Sequence, residues 1–350
     1  MKTTRTSLFF VTVSGLLAIC GPALTVQADG LIQDLISYWQ LDEGSGITTH
    51  DFVGGNDGTI YGAEWTAGQV DGALVFDGID DYVELGSPDS LDDLPLGNFT
   101  ISAWIYDEYN AGTTWGTVIG CYAYDHGWSF RTFSNAEGDR FLTFEAPHSG
   151  TWVRYYSVDG TIMQNTWYHV AAVWDANTKT AELYIDGAEP SYQKTDAGTG
   201  TYNSDASRDK EIGRLQHVGG IHYVSGVIDE VAIFKRSLSA EEIQQIYERG
   251  LSGQGLPVER IIAIKNIERA IDEKLEALER IDAAIERERA ALQTLNELPA
   301  NKQLRGLGRA DIIRAKMQIY QSLVRQYRCK IELRRSIDNL EGSLELLNSD

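Results

Sequence analysis

Cysteine is almost missing from this chain: there are three in 350 residues, and Cys20 lies inside an apolar N-terminal run. Cys121 and Cys329 alone cannot build the disulfide framework of a small secreted scaffold. Cys121, in the apolar segment Thr117 to Ala123, reads as a small buried residue. Cys329 is placed to bridge two chains if the C-terminal region pairs. Positive charge is also short, with 30 Lys and Arg against 51 Asp and Glu and a net charge of −21. The deficit is local. Gln254 to Asp350 holds 17 basic and 16 acidic residues, which leaves 13 and 35 for everything before it. Such an acidic surface repels phosphate backbones and favours cations and neutral ligands, so no nucleic-acid partner is expected. After the first 28 residues no run approaches the ~20 apolar residues of a membrane span. Gly-x-Ser-x-Gly elbows, phosphate loops and zinc-type Cys/His spacings are absent as well.

The N-terminus has its own pattern. Lys2 and Arg5 precede the apolar run Leu8 to Ile19, and Val26-Gln27-Ala28 offers small residues before Asp29. This reads as an export signal, residues 1–28, cleaved after Ala28. Leu17-Ala18-Ile19-Cys20 is a competing lipoprotein box, but Ile before the cysteine fits it poorly, so lipid anchoring at Cys20 is not expected. The expected location is extracytoplasmic, either secreted or in the cell envelope.

From Tyr38 to Phe234 short segments alternate apolar and polar residues between Gly/Asp/Asn/Ser turns. Phe99, Ile101, Ala103 and Ile105 share one face, as do Tyr168, Val170, Ala172 and Trp174, and again Ala181, Leu183 and Ile185. About a dozen such strands without helical crossovers predict two packed antiparallel sheets over residues 29–250, a jelly roll or sandwich. Trp39, Phe76, Trp104, Trp167 and Trp174 are expected to fill the space between them. Ser239 with Glu242 forms a capping box for a short helix, Gly250 ends it, and Leu251 to Pro257 is a linker.

Beyond the linker the period becomes helical. Ile264, Ile267, Ile271, Leu278, Ile281, Ile285, Leu292 and Leu295 follow 3-4 spacing, broken by Lys274 and Glu288, and Leu333, Ile337, Leu340, Leu344 and Leu347 repeat it after Pro299, Gly306 and Gly308. Two helices of ~40 residues, each ~60 Å long, are predicted to fold back as an antiparallel coiled-coil hairpin over residues 258–350. Val258 to Leu298 has 10 acidic and 7 basic residues while Pro299 to Asp350 has 6 and 10, so their flanks attract. Two helices bury little by themselves. The hairpin is therefore expected to pack on the sandwich or on a second copy, giving a homo-oligomer, or to position the sandwich.

Six ordered segments carry a resemblance: SYWQLDEGSG at Ser37 to Gly46 with GGNDGTIYG after it, GQVDGALVFDGIDDYVEL, FTISAWI, the NTWYHVAAVWD…AELYIDG hairpin, and IDEVAIFKRSLSAEEI. Together they resemble a laminin-G-like, concanavalin A-like lectin/glucanase domain, covering about Ser37 to Gly250. The resemblance implies an all-β jelly-roll sandwich in which the first and last strands lie side by side. It also implies a structural calcium there. Calcium takes six to eight oxygens, and Asp51, Asn56, Asp77 and Asp229 are the expected ligands, Asp51 and Asp229 meeting where the two strands adjoin. The competing reading makes these aspartates caps of Gly-rich turns.

A sugar site is the second expectation. Aromatic rings stack on apolar sugar faces while amides and charged groups take the hydroxyls. The segment Trp115 to Tyr156 interleaves aromatics with Asp125, His126, Arg131 and Arg154, and Trp128, Trp152, Tyr124 and Arg154 are the ligand-binding candidates. Glycosidases of this scaffold carry two Glu around an Asp on one strand; neither Glu-x-Asp-x-Glu nor Glu-x-Asp-x-x-Glu occurs. His126, His148, His217 and His222 lie in loop-like stretches, and His169 reads as a packed strand residue. No catalytic residue is expected. The sequence thus points to an exported, non-enzymatic recognition module for a glycan or extracellular glycoprotein. The alternative is a structural or adhesion protein that contacts other proteins without a sugar site.

Overall fold

A computed structural model describes residues 30–108, 115–123, 126–135, 137–206, 208–217, 220–297 and 309–348. The expected export segment, Tyr124, and the stretch with Pro299, Gly306 and Gly308 lie outside them. The chain divides into two compact units between Pro257 and Val258.

The first unit is a sandwich of antiparallel sheets, with eighteen strands among the described residues. The excess over a dozen comes from short pieces such as Thr48–Thr49, Glu64–Ala67 and the Arg214–His217 and Gly220–Tyr223 pair. One sheet runs Thr180–Ile185, Trp167–Asp175, Phe99–Asp107, Ser225–Phe234, Gly72–Asp77, Glu64–Ala67. Its Ser225–Phe234 strand changes partner half-way: Ser225 to Ile228 pair with Gly72–Asp77, and Val231 to Phe234 pair with the opening strand Leu35–Trp39. The register places Tyr38 opposite Ala232 and Trp39 opposite Val231, so the first and last strands adjoin. Glu230 sits at the changeover with φ +54° at a break in register, a β-bulge.

The other sheet has nine strands, from Tyr192–Asp196 through Val153–Ser157, Arg140–Ala146, His126–Ser134, Trp115–Ala123, Lys210–Ile212, Tyr82–Gly86 and Gly58–Tyr61 to Thr48–Thr49. Alternate residues of both sheets meet in one core that includes Trp39, Phe76, Phe99, Ile101, Trp128, Phe144, Val170, Trp174 and Leu183. Burying a Leu- or Phe-sized side chain is worth ~1.5–3 kcal/mol, which makes this layer the main source of stability. The indoles that enter it bring a polar N–H. Trp39 Nε1 donates to the Asn56 carbonyl at 2.9 Å and Trp174 Nε1 to that of Pro95 at 3.0 Å. Arg140 crosses between the sheets, its Nε donating to Asp107 at 2.8 Å.

The helix Ala240–Leu251, here α1, closes the outside of the first sheet. Ser239 and Glu242 form both bonds of its capping box. Trp104, on the polar-looking face of its strand, is 3% exposed because Tyr247 stacks on it at 5.8 Å and Gly250 abuts its ring. His169 packs beside it, its Nε2 2.8 Å from Ser102 Oγ, and burial pushes its pKa down to about 3. It is a neutral sheet residue.

The second unit consists of two long helices, α2 (Glu259–Glu297) and α3 (Arg309–Asn348), packed side by side. Ile271, Leu278 and Ile337 are buried in the seam, with Ile267, Leu333, Leu340 and Leu344 against them. Contacts of Asp282 with Lys330 and of Glu288 with Ser322 show the antiparallel direction. Glu288, which breaks the apolar pattern, accepts from Ser322 Oγ at 2.7 Å and Gln326 Nε2 at 3.1 Å. This half-buried carboxylate is accommodated in the seam by α3 donors to one of its oxygens.

Candidate functional site

The face of the nine-stranded sheet turned away from the core carries a continuous polar row. Register pairs place Glu84 beside Glu211, then Gly120, Ser129, Glu145, Arg154 and Asp196. Residues directly opposite on neighbouring strands share a face, so the row spans seven strands. A second row beside it runs Thr117, Arg131, Thr143, Tyr156, Lys194.

Glu145 is the centre of this face. It is 5% exposed, and Arg131 Nη2 and Tyr156 Oη donate to its two oxygens while Arg154 Nε stands 4.0 Å away. Burial, and after it the Glu145 charge, raises the Tyr156 pKa far above the usual phenol value, which keeps its proton as a donor. The Arg154 guanidinium lies 4.9 Å from the Trp152 ring centroid, and Lys194 Nζ lies 5.9 Å from that of Tyr156 and 3.0 Å from Asp196. Ser129 Oγ and Thr117 Oγ1 are buried without a hydrogen-bond partner. Toward solvent the face becomes accessible: Trp152 and Tyr156 are half-buried, and the side chains of Arg154 and Lys194 are 37% and 36% exposed.

The hairpin Arg214–Tyr223 folds over the middle of this face. Leu215 seats on Gly120, where a Cβ would come within 3.1 Å of the leucine. Arg214 grips Glu211, with Nε at 2.7 Å, and stacks 3.3 Å from the Tyr82 centroid, with Tyr61 stacked beyond at 4.7 Å. The open part is therefore the end formed by Trp152, Arg154, Tyr156 and Lys194.

The expected ligand-binding residues divide. Trp152 and Arg154 lie together on the open end. Trp128 does not: it is 0% exposed, points into the core and packs on Phe99 at 5.9 Å. A ring without accessible surface offers no face to a sugar, so Trp128 is corrected to a core residue. Tyr124 is outside the described residues, as are the side chains of Trp115 and Tyr122. Glu145 and Lys194 were missed, although Thr143 and Glu145 alternate with Leu142 and Phe144 in a way that marks an outward face.

Of the four histidines read as loop residues three lie on strands, and His148 stays between strands but is buried. His126 begins a strand. His148 is 3% exposed, packed between Trp174 and Tyr202. His217 and His222 lie on the paired strands of the hairpin.

The four expected calcium ligands are not brought to one point. Asp51 and Asn56 meet, but as a turn lock. Asp51 Oδ1 accepts the Tyr38, Val53 and Gly54 amides, each at 2.9 Å, and Oδ2 accepts the Asn56 main-chain and side-chain N–H groups at 3.1 Å. Five donors saturate a carboxylate that has about four lone-pair sites. Asp229 accepts the Val70 amide at 2.9 Å, and burial, then the Glu230 charge, pushes its pKa up to about 9. It is a neutral carboxyl at pH 7. Asp77 instead joins Asp80 and Asp81, whose carboxylates all lie within 4.8 Å of one another, the one such acidic group among the described residues. Asp77 Oδ1 caps Ile79 and Asp80, Asp81 Oδ2 accepts the Asp77 amide, and burial followed by its two acidic neighbours raises the Asp81 pKa. The remaining oxygens of this turn suit a hard cation.

Residues 76–244 match the family described as the Concanavalin A-like lectin/glucanases superfamily. No curated protein matches the chain. Among solved structures, domain 4 of the extracellular arabinanase AbnA from Geobacillus stearothermophilus, in complex with arabinotriose, is 17% identical over 61% of this chain and 97% of its own, with a TM-score of 0.44. The binding domain of Paraclostridial Mosquitocidal Protein 1 is 14% identical over 62% of this chain and 52% of its own, with a TM-score of 0.46. Trypanosoma rangeli sialidase is 13% identical over 63% and 33%, with a TM-score of 0.47. This chain spans about half the length of the mosquitocidal chain and a third of the sialidase chain. Among the described residues no helix is long and apolar enough to cross a membrane. With its two packed antiparallel sheets and this match, the segment from residue 76 to residue 244 is a laminin-G-like domain of the concanavalin A-like superfamily.

Proposed function

We propose that the sandwich is a non-catalytic carbohydrate-recognition module of an exported protein, and that glycan binds at the open end of the outward face of the nine-stranded sheet. The observation that carries this reading is the convergence of Trp152, Arg154, Tyr156 and Lys194 around Glu145. Rings there supply apolar surface, and the fixed donors and acceptors around them suit hydroxyls. Arg131 and Tyr156 each donate to one Glu145 oxygen, which fixes the orientation of the carboxylate on this face. A calcium ion held by Asp77, Asp80 and Asp81 belongs to the same proposal, with a structural role in that turn. Glycoprotein glycans outside the cytoplasm are the natural partners.

A second reading, a structural or adhesion protein with no sugar site, draws on the Arg154 guanidinium covering the Trp152 ring. Glycan-array binding by the full chain, followed by calorimetry on the strongest hit, separates the two. Binding that is lost in Arg154→Ala and Trp152→Ala supports the first. An array without hits, or binding indifferent to both substitutions, rejects it.

A further inference from the structure

The helix α3 has a second apolar stripe that α2 does not cover. Ile313, Met317, Tyr320, Val324, Tyr327 and Ile331 follow one another at spacings of 4, 3, 4, 3 and 4. All are exposed, Ile313, Met317, Tyr320, Val324 and Ile331 by 54 to 60%. Tyr327, at 38%, is partly screened by Arg289 of α2, which lies 5.8 Å from its ring centroid. The first four residues form one open apolar patch with Lys316, Gln321 and Arg325 at its edges. The residues that bury α3 against α2, among them Leu323 and Ile337, fall on a different side of the helix.

Spacing and charge together specify what fits this stripe. A repeat of 3.5 residues keeps a narrow seam in line only against another helix that supercoils with it, whereas a flat lipid surface asks for a broad face with the 3.6-residue period. At 1.5 Å per residue the stripe is ~27 Å long, enough for about three heptads of a partner. Arg314, Lys316, Arg325, Arg328 and Arg334 border it, against one acid, Glu332. A second copy docked stripe to stripe would set these cations against their equivalents, and like charges at flanking positions disfavour such pairing.

We propose that the Ile313–Ile331 face of α3 is a docking surface for an amphipathic helix of another protein, one with a heptad apolar seam and Glu or Asp at the flanking positions. The tail is then a hetero-typic coupling element, and self-association of the chain is not its purpose.

The test uses the full chain and two synthetic helical peptides of three heptads with Ile and Leu in the seam, one flanked by Glu and the other by Lys. The Glu-flanked peptide is expected to bind more tightly by at least ~tenfold at low salt, with the margin shrinking as salt rises. Lys316→Glu combined with Arg328→Glu should reverse the preference. Met317→Ser combined with Val324→Ser should weaken the Glu-flanked peptide by at least ~tenfold while helical circular dichroism stays unchanged. Equal binding of the two peptides, or binding of neither, overturns the proposal. So does a chain that is dimeric by light scattering with the dimer broken by Met317→Ser and Val324→Ser, since a second copy then occupies the face. Association with phosphatidylserine vesicles in place of the peptides overturns it as well.

Discussion

Tyr38, on the opening strand, donates its hydroxyl to Glu230, on the bulge of the closing strand 192 residues later. The same oxygen accepts the Leu256 amide at 3.0 Å, so this bond also pins the segment that leaves α1. Gly255 has to be small here, because a Cβ would come within 2.4 Å of Tyr38 Oη and 2.6 Å of Glu230 Oε2. Tyr38→Phe removes the donor to a buried carboxyl and the acceptor for an amide. It should cost ~1–3 kcal/mol in urea unfolding without changing the fold. A variant as stable as the parent would show that water replaces the hydroxyl.

Stability should fall as pH rises from ~7 to ~9, above the range in which the lowered pKa values of His169 and His148 act in the opposite sense. Burial, with acidic neighbours adding to it, raises Asp229 to about 9 and Glu230 to about 8, so the folded chain keeps two protons that the unfolded chain, titrating near the ordinary carboxylate values, gives up by pH 5. A raised carboxyl pKa means stability that is complete below the unfolded value and is lost progressively up to the folded one. Each group contributes at most ~1.4 kcal/mol per pH unit over that window. Melting temperatures across this range should slope downward, and Asp229→Asn, which keeps the acceptor for Val70, should flatten the slope. An unchanged slope in that variant would refute the assignment.

Two tryptophans should behave oppositely. Trp128→Ala opens a cavity in the core and should cost ~3–5 kcal/mol. Trp152 is half-buried at the sheet face, and its loss should cost ~1 kcal/mol or less in stability while abolishing detectable glycan binding. Differential scanning calorimetry paired with titration calorimetry reads both effects.

Calcium at about one hundred times its dissociation constant should add ~2.7 kcal/mol to the stability of the chelator-treated protein. Asp80→Asn with Asp81→Asn should remove that increment, whereas Asp51→Asn should lower stability with and without calcium alike. A melting temperature indifferent to calcium would end the proposal of an ion at this turn.

What could be read along the chain was what depends on periodicity and local chemistry. Alternation in FTISAWI and WYHVAAVW marked the core faces, the Ser239 and Glu242 pair marked a helix start, and 3-4 spacing marked α2 and α3 with Glu288 as the odd position. Trp128 was misassigned because alternation says that a residue has a face but not which side of the sheet is the core. Asp51 was misassigned because a carboxylate beside glycines looks the same in sequence whether amides or a cation fill it.

The amino-acid order alone was enough to establish two sheets and a helical tail, since each follows from patterns a few residues long that repeat, while the adjacency of the opening and closing ribbons was implied by the family resemblance. The polar row from Glu84 to Asp196, the hairpin laid over it, and the neutral carboxyl of Asp229 arise from registers between strands far apart in the chain. Burial and neighbouring charge, which govern what a side chain can do, come into being when those strands pack.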